Sequence, residues 1–274
     1  MIRFKTSFLA PAALALMLAG FGVAHAEDAD QPKPERQTWT FNGVFGNFDK
    51  AQLRRGFQVY KEVCSNCHKL SIPFRTLQDP NGPGFSEAEV KALAASYQIV
   101  NDEPNDKGEI FKRAATPADL FPPPDAFPND QAAVAGLGKA PPDMWLLAKA
   151  RKYERGFPNF VFDIFTGYQE IGSDYIYAIL NGYTKADDPQ WNLYYPGHKI
   201  AMPMPLTDDA VTYKDGTKAT LQNEAQDIAT FLSWAAEPTL VERKSLGRKA
   251  ILFLMVFAVL MYFTKKKVWS GAAH

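Results

Sequence analysis

Five consecutive residues restrict this chain more than any other stretch: Cys64-Ser65-Asn66-Cys67-His68. The sequence has 2 cysteines in 274 residues, and both stand in this run. Thiols three positions apart on one helical turn can each add to a vinyl group of one porphyrin, and the histidine that follows can present its imidazole to the iron. The run therefore reads as a covalent haem c site, with Cys64 and Cys67 as thioether positions and His68 as proximal iron ligand. A thioredoxin-like redox pair would need a strand-helix-strand setting, which the flanking residues do not show. A structural zinc site needs four closed ligands, and without a third cysteine the further candidates are His25, His198 and His274. A disulfide between residues so close closes too small a loop to stabilise much.

The two ends of the chain say where such a site would work. Residues 1–26 read as a cleaved secretory signal: Arg3 and Lys5 form the positive region, Phe8 to Ala24 the apolar run, and Ala24-His25-Ala26 a cleavage site before Glu27. Export suits a chain whose only cysteines are haem thiols, because none is left to mispair in an oxidising compartment. Near the other end, Ala250 to Thr264 carries no charge and is bracketed by Arg248 and Lys249 before it and by Lys265 to Lys267 after it. Apolar on every face, it reads as a transmembrane anchor and not as a core helix. Its residues, rising about 1.5 Å each, fall short of a hydrocarbon core of roughly 30 Å, so the lysines must snorkel and Trp269 must sit near the headgroups. The expected plan is a periplasmic haem domain over 27–241, a tether over 242–249, an anchor over 250–264 with room to extend to 269, and a cytoplasmic tail over 265–274. The membrane is then a bacterial inner membrane.

Within the exported part, Leu53, Phe57, Tyr60, Cys64 and Cys67 recur at helical spacing, which predicts a helix capped by Asp49 that delivers the motif. A short helix is expected over 174–180, with Ser173 as cap and Asn181-Gly182 as stop. Another is expected over 221–235, apolar at Leu221, Ala225, Ile228, Leu232 and Ala235 and ended by Pro238. The 26 residues from Pro117 to Pro142 hold seven prolines and read as loop. The fold class is therefore mainly α: a c-type cytochrome domain with long irregular loop insertions, plus one C-terminal transmembrane helix.

The whole chain balances 30 basic against 30 acidic residues, yet setting aside the leader and everything beyond Val241 leaves 21 basic and 29 acidic, a net −8. That sign disfavours nucleic acid as a partner. Glu87, Glu89, Asp102, Glu103, Asp106, Glu109, Asp119, Asp125 and Asp130 gather in the loop region, where they either steer a basic partner to the haem edge or are ordinary solvated loop acids.

The second axial position decides between electron transfer and ligand chemistry. The segment Gly197 to Pro205 offers His198, Met202 and Met204, with Pro203 and Pro205 stiffening the backbone around Met204. A thioether opposite histidine raises the reduction potential, which suits a carrier, and Met202 stands first among the candidates. An open distal position would instead mean a haem enzyme such as a peroxidase.

Taken together, CSNCH after VYKEV, PPDMWLLAKAR, TGY at Thr166 to Tyr168, YYPGHKIAMPMPL, and DIATFLSWAAEP followed by one anchor resemble the cytochrome c1 family, the haem subunits of ubiquinol-cytochrome c reductase. The resemblance covers most of the mature chain. It implies Cys64 and Cys67 as thioether sites, His68 and Met202 as axial ligands, and Arg151 at a haem propionate, where a guanidinium fork matches a carboxylate. It further implies a monohaem carrier without a substrate site of its own. Its partners would be a cytochrome b subunit, a Rieske iron-sulfur protein, a soluble or tethered c-type cytochrome, and the lipid bilayer. A haem subunit of another respiratory complex, such as a terminal oxidase, is the alternative in the same chemical class.

Overall fold

Residues 32–271, apart from 102, 154 and 169, are described by a computed structural model. In chain order they form α1 (Lys50–Glu62), α2 (Glu87–Ala95), β1 (Gln98–Val100), β2 (Lys112–Ala114), α3 (Asp130–Leu137), α4 (Leu147–Ala150), α5 (Asn159–Thr166), α6 (Ile171–Asn181), α7 (Leu221–Ala236) and α8 (Leu240–Trp269). β1 and β2 pair antiparallel, Ile99 opposite Arg113. The mainly helical class with one C-terminal apolar helix is thus the observed one. The leader read over residues 1–26 lies outside the described residues.

The core is built where α1 meets α7. Asp49 starts α1 by accepting from the N–H groups of Ala51 at 2.8 Å and Gln52 at 3.4 Å, satisfying donors that have no partner inside the helix. Thr220 does the same for α7 through the Asn223 N–H at 3.2 Å. The buried face of α1 carries Leu53, Phe57, Val59 and Tyr60, and α7 is buried almost all round from Glu224 to Ala235. Gly56 permits the crossing, because a Cβ there would lie 2.1 Å from the Asp227 carbonyl oxygen. Beside it Arg55 Nε donates to Asp227 Oδ2 at 2.8 Å. α6 and α4 cover other sides of α7 and touch each other at Gly172, where a Cβ would meet the Ala148 carbonyl at 1.8 Å.

Loops finish this core with aromatic rings. Phe57 and Tyr60 of α1 meet Phe231 of α7 on one side and Phe121 on the other, and the Phe121 centroid is 4.0 Å from that of Phe74. Residues 72–75 and 117–121 are tied by backbone bonds, including Phe74 N–H to Asp119 O at 3.1 Å and Arg75 N–H to Pro117 O at 2.8 Å. Asp119 in turn grips Arg113 through two oxygens at 2.7 and 2.8 Å. Backbone that reads as loop is therefore held by paired groups, as buried polar backbone must be.

Several expected boundaries move. α1 stops at Glu62, and Cys64–Asn66 is a separate 3-10 turn, so Cys64 and Cys67 do not continue the helix face. α6 begins at Ile171 with Glu170 at its N-cap; Ser173 lies inside it and bonds Ser233 Oγ at 2.6 Å instead of capping. The stretch 117–142 is not wholly loop: α3 occupies its proline-free interval, capped by Asn129 and closed by left-handed Gly138. α2 follows a capping box, Ser86 and Glu89 each bonding the other's backbone. α8 is continuous from Leu240, so residues 242–249 are helical and not a loose tether. Its 30 residues span about 45 Å at 1.5 Å per residue, ample for a bilayer core of roughly 30 Å. Its apolar run is exposed throughout.

Two outcomes check this packing. Gly56→Ala gains about 1 kcal/mol of helix propensity but meets a backbone carbonyl that cannot step aside, so a net loss of about 1–3 kcal/mol is expected by chemical denaturation. Burial lifts the carboxyl of Glu224 to about 6, and its Oε2 has no hydrogen-bond partner among the described residues. A carboxyl with a raised folded pKa binds its proton more tightly folded than unfolded, so stability falls as pH climbs from about 4.5 to about 6. Glu224→Gln should remove that slope and gain on the order of 1 kcal/mol at neutral pH, after allowing for solvent screening.

Candidate functional site

The end of α1 and the proline-rich segment 141–144 make one unit. Past Val63 the chain tightens into a 3-10 turn, with the N–H groups of Cys67 (3.1 Å) and His68 (2.8 Å) both donating to the Cys64 carbonyl. That bifurcated closure sets the two thiols and the imidazole on one turn. Neither cysteine is in a disulfide; Cys64 is half-buried and Cys67 exposed. Burial and the neighbouring Cys67 push the Cys64 thiol up to about 12.

His68 is nearly buried, and its Nδ1 lies 2.9 Å from the Pro142 carbonyl oxygen. A carbonyl can only accept, so Nδ1 carries the proton and Nε2 keeps its lone pair, the tautomer a metal-ligating histidine needs. Burial also holds the imidazole pKa below its ordinary value, which favours the neutral form. The same segment is fastened on both sides of this bond. The Met144 N–H donates to the Lys69 carbonyl at 3.0 Å, and Asp143 accepts from the Ser71 N–H at 3.2 Å, from the Ser71 hydroxyl, and from the Trp145 N–H at 2.8 Å. Pro142 and Asp143 thus orient the histidine, and sequence reasoning missed both roles. The Asp143 turn is legible in Pro-Pro-Asp, but its Ser71 partner, 72 positions away, is not.

The distal candidates separate by environment. His198 sits at left-handed φ of 57°, stacks on Trp191 with ring centroids 5.1 Å apart, and has Nδ1 3.0 Å from the Asn192 carbonyl. Met204 is exposed. Met202 is half-buried and packs on the edge of the main core, as Cys64 does, and the Tyr183 hydroxyl donates to its carbonyl at 2.9 Å. Tyr183 has no sequence signal as a strap anchor, since only the fold brings the end of α6 to the strap. Arg151 is the C-cap of α4 and is exposed; its charge draws down the hydroxyl pKa of Tyr175 on α6, which burial raises.

Part of the acidic loop set proves structural. Glu87, Glu89 and Asp130 occupy first turns of α2 and α3, and Asp119 is committed to Arg113, which holds its carboxyl well below the usual range. The donor set of the turn, two thiols and an imidazole with a free Nε2, fits covalent haem c. In the chain made without haem attachment, Cys67 should be alkylated faster than Cys64, read by peptide mass spectrometry; equal rates would contradict the burial difference.

Comparison with known proteins points to a haem c family. The family model described as "Cytochrome C1 family" matches residues 39–272. A protein named "Cytochrome b/c1" from Bradyrhizobium diazoefficiens is 50% identical over 271 residues, which cover 95% of this chain but 39% of that protein. "Cytochrome c1" of Blastochloris viridis is 44% identical over 280 residues, covering 98% of this chain and 97% of the relative. "Cytochrome c1" of Rhodospirillum rubrum is 41% identical over 272 residues, with 96% of each covered.

Proposed function

The chain belongs to the cytochrome c1 family, a family of haem c electron carriers, and we propose that it is the membrane-anchored haem subunit of a ubiquinol-cytochrome c reductase. It accepts one electron from a Rieske iron-sulfur protein and passes it to a c-type cytochrome. The observation that carries this reading is the His68 to Pro142 bond at 2.9 Å, which prepares Nε2 as a metal ligand directly beside the paired thiols. A cytochrome b partner is supported by the relative whose name joins b and c1 in one protein. The apolar helix α8 supports anchoring, and with the leader over residues 1–26 it argues for a haem domain on the periplasmic side of a bacterial inner membrane. On this reading the short tail beyond Thr264 is cytoplasmic.

Cys64 and Cys67 would hold the group through thioether bonds, His68 and Met202 would take the two axial positions, and Arg151 would pair with a propionate. Haem c, when bound, supplies a one-electron couple whose potential follows its axial ligands and surroundings. The chain's own part is positioning. The Pro142 carbonyl holds the imidazole ring in one tautomer, and Tyr183 fixes the backbone of the strap at Met202. Phe121 and Phe74, buried beneath the loops, keep water from the inner side of α1. Met202 is favoured over Met204 because it is the less exposed of the two, and over His198 because that ring is stacked on Trp191.

Met202→Leu should lower the reduction potential of the purified holoprotein by on the order of 0.1 V, within the roughly 0.8 V range that axial ligation spans. Met204→Leu should leave it unchanged, and the reverse pattern would move the ligand to Met204. Cytochrome b and a Rieske protein should co-purify with the chain; their replacement by terminal oxidase subunits would overturn the reductase reading.

A further inference from the structure

Asn192, in the loop that follows α6, is fully buried. In sequence it stands in Trp-Asn-Leu-Tyr-Tyr-Pro-Gly, which reads as a turn, and an asparagine there ordinarily bonds its own backbone two residues on. It does make that bond, Oδ1 accepting from the Tyr194 N–H at 3.1 Å. Its other three polar groups are used as well. The side-chain amide donates to the Ile179 carbonyl at 2.7 Å, the backbone N–H donates to the His198 carbonyl at 2.9 Å, and the backbone carbonyl accepts from His198 Nδ1 at 3.0 Å.

These bonds join the end of α6 to both arms of one narrow loop. Residues 190–192 run antiparallel to 198–200, tied by a bridge between Trp191 and Lys199 and by the Ile200 N–H on the Gln190 carbonyl at 3.0 Å. The returning arm continues into Ala201 and Met202. On the α6 side, the Ile179 carbonyl receives Asn192 Nδ2 and the Gly182 carbonyl receives the Leu193 N–H at 2.9 Å, while the Tyr183 hydroxyl reaches the Met202 carbonyl. Ile179 lies in the last turn of α6, where carbonyls lack a partner inside the helix and stay open to such a donor. Gly182 is fitted to the same residue, because a Cβ there would lie 2.6 Å from Asn192 Oδ1. His198 has a left-handed φ of 57°, which residues with a side chain avoid, and its bonds to Asn192 and its stack on Trp191 hold it there. α6 is itself fixed on α7 through Ser173 and Ser233, so the contacts run unbroken from the core to the strap.

We propose that Asn192 positions the distal ligand: by clamping the 190–200 loop onto the end of α6 it fixes the strap backbone and keeps the Met202 thioether in place as the second axial ligand. Pro203 and Pro205 stiffen the strap locally but tie it to nothing, whereas a buried amide with every polar group satisfied specifies one arrangement. Asn192 acts through the backbone and is not a ligand. The inference rests on Met202 being the distal ligand.

Asn192→Ala, Asn192→Asp and Gly182→Ala test it, in the haem-loaded chain purified with its membrane partners and read at the absorption bands of the c haem. The aspartate keeps the shape of the side chain but turns an oxygen toward the Ile179 carbonyl, and the Gly182 variant leaves Asn192 intact while crowding it. Met202→Leu serves as the open-site reference, and Thr220→Ala, which removes the cap of α7, as the control for general loosening. In all three variants the reduced c haem should bind carbon monoxide in a fraction of molecules severalfold above the unsubstituted chain, and its reduction potential should fall in the direction of Met202→Leu. Haem-loaded variants that exclude carbon monoxide at an unchanged potential, beside an open Met202→Leu, would overturn this inference alone. Equal carbon monoxide binding in Thr220→Ala would reduce the effect to lost stability and overturn it as well, as would loss of the haem-loaded chain in all three variants. A closed site at an unchanged potential in Met202→Leu would remove the Met202 reading and the inference together.

Discussion

Everything else in the domain hangs on the close approach of α1 and α7. Two helices far apart in sequence meet at Gly56 without room for a methyl group, and Arg55 and Asp227, 172 positions apart, lock the same crossing. A backbone-to-backbone contact of this kind has little slack, because interiors are packed near crystal density and a shift of a few tenths of an ångström would be felt along both helices. The end of α1 is therefore a fixed point, and it is from this end that the Cys64–Asn66 turn projects. Loop segments at 72–75 and 117–121 pack their aromatic rings onto the same pair and inherit its rigidity.

From that fixed point the structure spends its prolines on the candidate site. Pro142 cannot donate a backbone hydrogen bond, yet its carbonyl accepts, and the ring restricts the backbone that aims it at His68. Asp143 and Met144 fasten the segment to Ser71 and Lys69, and the Trp145 N–H closes back on Asp143, so the imidazole is oriented by a segment with almost no freedom of its own. The strap that carries Met202 follows the same plan, with Pro203 and Pro205 restricting φ and Tyr183 pinning a carbonyl. Stiff ligand segments keep a redox centre from rearranging between its two charge states, the property a carrier needs. The site leans on the fold through backbone carbonyls, which any residue type could have supplied.

Much of this was legible before any coordinates. The cofactor class is readable from five residues, which also supply the candidate thiols and imidazole for it, because the chemistry demands those atoms at that spacing. α1 is readable from its period and its Asp49 cap, α7 from its period and the proline beyond it, and the long apolar helix from a charge-free run. What misled the reading was local override: Cys64 and Cys67 continue the helical spacing of α1, but the backbone tightens at Val63, and α3 nucleates in the gap between prolines 128 and 141. α5 went unread because its apolar spread follows no buried face, an arrangement that single-sequence periodicity treats as noise.

The sequence by itself determined the candidate chemistry: two thiols, a histidine and an apolar helix are properties of residue type at short range. Only the tertiary structure decided orientation. Which nitrogen of His68 is free depends on a carbonyl 74 positions away, and how the strap at Met202 is held depends on Tyr183. Those choices rest on hydrogen bonds and contacts between segments far apart in the chain, and no spacing along the sequence encodes the partner on the other side.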